Sequence, residues 1–249
     1  MLYAMQILDV LAYVPSPRGI GALTRSLLHI LYHPRSLADI LPELTTSSPE
    51  PTVATQTRHL ISVGSLCPGT GCTQLVFHLA CCLDPDHPVL MVEMSPKPVL
   101  SRYFLNPTDR NTQTGLYSSP SFRQTGFLPD PAPVTWERHR QHHPVTLVDL
   151  GLLDTNDKFS LFLRSDLALL VTTGSAWHIQ DVLRRKEEFD SCCLWINFCP
   201  PDAFSDYVQI FGSSFRGYYA GRYAPDPLRP GREQAKLIRT LLKQQHLTL

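Results

Sequence analysis

The sequence predicts a doubly wound α/β fold: a mostly parallel sheet with helices on both faces, preceded by a helical N-terminal extension. Two observations carry this. From residue 59 onward, short continuous apolar runs alternate with stretches of helical period. Strands buried on both faces read as unbroken apolar runs, so such an interleaved pattern points to a covered parallel sheet. Composition permits it: 43% of the 249 residues are hydrophobic and only 18% are charged, enough apolar material for a real core.

The elements follow in order. Residues 1–44 read as helical, because Ala22, Leu23, Leu27, Leu28, Ile30 and Leu31 recur near a period of 3.6 until Pro34 stops them. Ser36 can cap a second, shorter helix carrying Leu37, Ile40, Leu41 and Leu44. Residues 45–58 are polar and contain Pro49 and Pro51, which predicts a linker and places the main domain at 59–249. Within that domain strands are expected at 59–64, 88–94, 144–150, 167–172 and 192–197. Helices are expected at 74–83, 177–189 and 232–245, the last with Ala235, Ile238, Leu241 and Leu242 on one face. Residues 106–135 are rich in Asn, Thr, Ser, Pro and Gly and read as mostly loop with one short helix. No internal repeat is present.

Charge and cysteine content exclude some classes. With 22 basic and 22 acidic residues the net charge is zero. Binding nucleic acid through a globally basic face is therefore not expected. The apolar N-terminus is interrupted by Asp9 and has no basic stretch before it, so no export signal is expected. No apolar run approaches the ~18 residues of a membrane span. Seven cysteines then read as reduced thiols in a cytoplasmic protein, mostly small buried fillers.

The chemistry-bearing candidate follows the first strand. Gly64-Ser65-Leu66-Cys67-Pro68-Gly69-Thr70-Gly71-Cys72-Thr73-Gln74 leads straight into a helix. A small-residue loop between strand and helix can cradle phosphates, because its backbone N–H groups and the helix dipole both point at the anion. Alone this is a weak signal. The order of further motifs strengthens it: Glu93-Met94-Ser95 ends the second strand, and Val148-Asp149-Leu150-Gly151 ends the third. Ser165-Asp166-Leu167 opens the fourth, Asn197 and Pro200 close the fifth, and Tyr223-Ala224-Pro225-Asp226 precedes the last helix.

In this order and spacing residues 59–245 resemble the ParA/MinD family of P-loop ATPases, the deviant Walker A group. The resemblance implies a P-loop NTPase fold and a nucleotide site at Gly69, Thr70, Gly71, Cys72, Thr73, Gln74, Asp149 and Asn197. In it Thr73 and Asp149 would hold Mg²⁺, directly or through water, and Asn197 would read adenine. The departures are equally specific. The signature lysine falls on Cys67, the phosphate-contacting lysine on Cys72, and the water-positioning aspartate on Ser95. None of the five lysines, Lys97, Lys158, Lys186, Lys236 and Lys243, lies in the first 96 residues.

Each charge-assisted bond to phosphate is worth ~1.5–3 kcal/mol, so each lost lysine costs one to two decades of affinity. Phosphoryl transfer depends on positioning and charge stabilisation, and each donor lost costs roughly 10²–10³ in rate. Weak binding of ATP or ADP with Mg²⁺ survives this arithmetic; hydrolysis does not. The resemblance thus implies a degenerate, TadZ- or BcsQ-like pseudo-ATPase that works by protein contact. Its partner would be an active paralogue or secretion or polysaccharide machinery at the bacterial envelope, and a homodimer across the former nucleotide face is compatible with it. The alternative is a nucleotide-dependent switch whose cation comes from elsewhere, such as Arg102 or a partner's arginine.

Three other features have bland readings beside functional ones. Cys67, Cys72 and Cys199 could meet as a thiol or metal site, although C-x4-C without a second pair is a poor zinc signature. The run from Trp136 to His143 could hold a metal or an acidic partner, or be a solvated helix end. The last helix, with Lys236, Arg239 and Lys243, either packs on the sheet or touches the inner membrane peripherally.

Overall fold

The structure, a computed structural model, describes residues 58–94, 99–100, 104–129, 131, 133–200, 202–224, 226–245 and 247. The expected helical extension at 1–44 and nearly all of the linker lie outside them, as do Ser95 and Arg102.

The chain alternates strand and helix as expected. β1 (His59–Ser65) leads to α1 (Cys72–Leu83), then β2 (Val89–Glu93), β3 (Tyr117–Ser119), β4 (Phe122–Pro129) and α2 (Pro133–Arg140). β5 (Val145–Leu152), α3 (Asn156–Leu163), β6 (Leu167–Thr173) and α4 (Ala176–Arg185) follow. β7 (Cys193–Asn197), α5 (Phe204–Phe211), β8 (Gly217–Ala220) and α6 (Arg232–Gln244) complete it. The eight strands form one sheet in the order β3-β4-β2-β5-β1-β6-β7-β8, all parallel except β3.

Both faces of the sheet are buried, which explains the unbroken apolar runs. Ile61 and Val63 of β1 join a core with Leu75 and Leu79 of α1 and Ile238 and Leu241 of α6. Leu60, with its side chain on the opposite face, belongs to a second core with Phe162 of α3, Ile179 and Val182 of α4 and Phe211 of α5. The apolar stripe of α6 is spent on this packing, since Ile238 and Leu241 are fully buried. In this conformation it presents no apolar face to a membrane.

One expectation fails. Residues 106–135 are not mostly loop: they contain β3 and β4, the latter eight residues long. Asp84, after α1, accepts the backbone N–H groups of Arg123 and Gln124 at 2.8 and 2.7 Å and the Thr125 hydroxyl at 2.7 Å. One carboxylate thereby holds the start of β4 against the sheet. Polar residues are tolerated because β4 lies one strand from the edge, with Arg123 and Gln124 exposed.

β1 sits between β5 and β6, where successive connections leave in opposite directions. In doubly wound sheets the crevice at that point, beyond the carboxyl ends of the strands, is where ligands bind. The 66–71 loop opens there.

Candidate functional site

Two glycines with left-handed backbone shape the loop: Gly69 has φ +76° and Gly71 has φ +93°. A side chain at either would be strained. The Ser65 hydroxyl stitches the loop's entry, donating to the Cys67 carbonyl at 2.8 Å and accepting the Cys67 N–H at 3.1 Å. Gly71 then caps α1 without a side chain.

Cys72 opens α1 and is buried; its Sγ lies 3.6 Å from the Thr70 hydroxyl and 3.9 Å from the Gly151 carbonyl. Burial, with the nearby Asp149 charge, pushes the thiol far above its ordinary range. It is a neutral filler. Thr73 and Asp149 are brought together, the hydroxyl donating to Oδ2 at 2.6 Å. The Gly151 N–H holds Oδ1 at 3.0 Å. Burial raises the Asp149 pKa, while Thr73, Gly151 and the Lys158 charge oppose it.

Lys158, in the first turn of α3, donates to the Leu152 carbonyl at 3.2 Å and to Asp154 at 3.1 Å. Its amide donates to Thr155, the cap of α3, at 3.4 Å. This lysine follows a loop that packs on the first one, for the Leu153 N–H donates to the Ser65 carbonyl at 2.8 Å. Sequence reasoning assigned it no role, although it lies only nine residues after Asp149.

Asn197 is engaged at both ends of its amide. Nδ2 donates to the Thr70 carbonyl at 2.7 Å, and Oδ1 accepts the Trp195 indole N–H at 2.8 Å. A Cβ on Gly71 would stand 2.6 Å from that Nδ2. The amide therefore latches β7 to the loop, with one N–H and one lone pair left over. Gln74 Nε2 reaches the Ala224 carbonyl at 3.4 Å, tying α1 to the segment after β8.

Cys67 and Cys199 each have a hydrogen-bond partner of their own. The Cys67 thiol donates to Asp181 of α4 at 3.2 Å, and burial, then this carboxylate, pushes its pKa up to about 11. Cys199 donates to the Pro200 carbonyl at 3.4 Å, and burial raises it too. Raised thiol pKa values mean poor nucleophiles and poor metal ligands. Among the described residues no three His, Cys, Asp or Glu side chains are grouped to hold a metal.

Beyond the strand ends lies an aromatic rim that composition did not reveal. Trp177 is 78% exposed, Tyr223 74% and Phe198 48%. They follow β6, β8 and β7 respectively, and the Phe198 and Tyr223 rings lie 6.4 Å apart. Phe198 also has φ +53°, a rare conformation for an aromatic residue.

No family model matches the sequence, and no curated protein matches it. Solved structures do match. MinD of Aquifex aeolicus, in its MinC:MinD cell division complex, aligns at 15% identity over 74% of this chain and 96% of its own, with a TM-score of 0.53. The septum site-determining protein MinD of Pyrococcus horikoshii, complexed with Mg-ADP, aligns at 16% identity over 75% and 95%, TM-score 0.53. A ParA family ATPase from Chlorobium tepidum aligns at 18% identity over 77% and 100%, TM-score 0.51. The chain has the MinD/ParA fold.

In that fold the fit to Mg-nucleotide divides. Thr73 and Asp149 form an oxygen pair suited to Mg²⁺, and the loop retains backbone N–H groups for a phosphate. Charge does not fit among the described residues: Cys67 and Cys72 supply none, and Lys158 is already bonded to a carbonyl and a carboxylate.

Proposed function

We propose that this protein is a catalytically inactive relative of the MinD and ParA ATPases, akin to the TadZ and BcsQ types, that acts as a scaffold, localisation or regulatory subunit. The observation that carries this reading is Cys72, a buried neutral thiol where the resemblance calls for a lysine. The site is held together by its own bonds, Thr73 to Asp149 and Asn197 to Thr70, which supports a shape maintained without a nucleotide.

Contact with a protein partner is supported by the aromatic rim. Exposed Trp177, Phe198 and Tyr223 follow the three strands on one side of β1, and aromatic side chains are enriched at interface cores. The partner class is a second copy, an active paralogue or an envelope-associated assembly. The solved complex of MinD with MinC shows that this fold can engage a protein partner.

Sedimentation of the purified chain with and without Mg·ATP tests the reading. Unchanged assembly state is expected, and nucleotide-driven dimerisation would contradict it. One observation favours the rival reading, a nucleotide switch with a relocated cation: the Lys158 charge already reaches Asp149. Under that reading Lys158→Ala would abolish a measurable ATPase activity; under ours no such activity exists to be lost.

A further inference from the structure

A second polar site lies at the opposite margin of the sheet. β3 is the edge strand, four positions from β1, and α2 runs between β4 and β5. α2, the turn after it and the loop before β3 border an open cleft of about 310 Å³ lined by Gln113, Thr114, Thr135, Arg138, His139 and His142, of which only His139 is partly buried. Every one of these side chains offers a hydrogen-bond donor, and none is acidic.

The fixed positive charge here is that of Arg138. Glu137 is turned to Arg140 at 3.6 Å, and among the described residues no carboxylate lies within ion-pair distance of Arg138, His139 or His142. The His143 ring is anchored on the His139 carbonyl at 2.9 Å, which fixes the turn. The loop opposite is equally built: Asn111 Oδ1 accepts the N–H groups of Gln113 and Thr114 at 2.9 and 3.0 Å. Burial holds the His139 imidazole below its usual range, and the charges of His143, Arg138 and His142 push it the same way against the Thr114 backbone. An anion bound here would favour the protonated imidazole and oppose this lowering.

We propose that this pocket binds a phosphate group, either free or as the ester of a small molecule, with Arg138 as its fixed charge and His139, His142 and the two threonine hydroxyls completing its shell. The volume is of the order a small ligand needs. Arg138 can offer two parallel donors to one phosphate.

The test is a titration of the full chain with inorganic phosphate and, separately, with glycerol phosphate, at constant ionic strength made up with chloride. The readout is the imidazole proton signals of His139 and His142. Saturable shifts in both are expected, with Arg138→Gln weakening binding about tenfold or more. Tighter binding of the ester would assign an esterified ligand, and equal binding free phosphate. Unmoved histidine signals would overturn the proposal, as would equal binding by the Arg138→Gln variant. Arg138 is exposed and makes no ion pair among the described residues, so this variant keeps the fold.

Discussion

Cys72 and Asp149 make opposite demands on the same few ångströms. The carboxylate is buried with a hydroxyl, an amide and a distant ammonium as its only relief, while the thiol beside it adds no charge. Restoring the cation is therefore informative. Cys72→Lys is expected to tighten Mg·ATP binding by about ten- to a hundredfold, the worth of one charge-assisted contact, as read by calorimetry. An unchanged affinity would mean that this loop is not a phosphate loop. Asp149→Asn tests the other half. The folded protein holds the Asp149 proton more tightly than the unfolded chain does, so stability falls as pH rises from the ordinary value of 3.8 through the raised one. Above that window the buried charge is a constant cost. The asparagine variant should gain ~0.5–2 kcal/mol at neutral pH and lose this part of the slope, as thermal melts from pH 4 to 8 would show. A destabilised variant would mean that the carboxylate's bonds outweigh its desolvation.

At the scale of elements, the packing between β7 and the loops on either side is tightest at Gly221. Its missing side chain would stand 2.4 Å from both Asn197 Oδ1 and Trp195 Nε1. Gly221→Ala is expected to cost about 1–3 kcal/mol in chemical denaturation and to loosen the latch between Asn197 and Thr70. No loss would place the latch elsewhere. The same elements show what could be read in advance. The central strands were legible because each is buried on both faces and carries an apolar run, as β6 does in Leu167–Thr173. β4 was not, because what holds Arg123, Gln124 and Thr125 in place is Asp84, some 40 residues away. α3 and α5 went unassigned because eight residues give too few turns for a period to emerge. The resemblance implied that Thr73 and Asp149 share a site, and the two side chains lie 2.6 Å apart. Lys158 and the exposed rim were not legible in advance, since burial and exposure belong to the folded chain.

At the scale of the whole molecule, the described domain has the MinD/ParA fold, and among the described residues its first loop carries neutral Cys67 and Cys72 where the resemblance calls for lysines. Its loop is shaped by Gly69 and Gly71, its oxygen pair is intact, and its crevice opens at the switch point of the sheet. Each closing contact is made within the chain: Cys67 to Asp181, Asn197 to Thr70, Gln74 to Ala224. On the reading proposed above, a site so tied holds its shape without a ligand, and the exposed aromatic residues beside it would be open to a partner. The central claim is thus that nucleotide does not govern this protein. Calorimetric titration of the purified full chain with Mg·ATP and Mg·ADP tests it most directly. The account predicts no saturable heat at micromolar nucleotide and at most weak binding in the millimolar range. A micromolar dissociation constant for either nucleotide would contradict it and make the relocated-cation switch the better description.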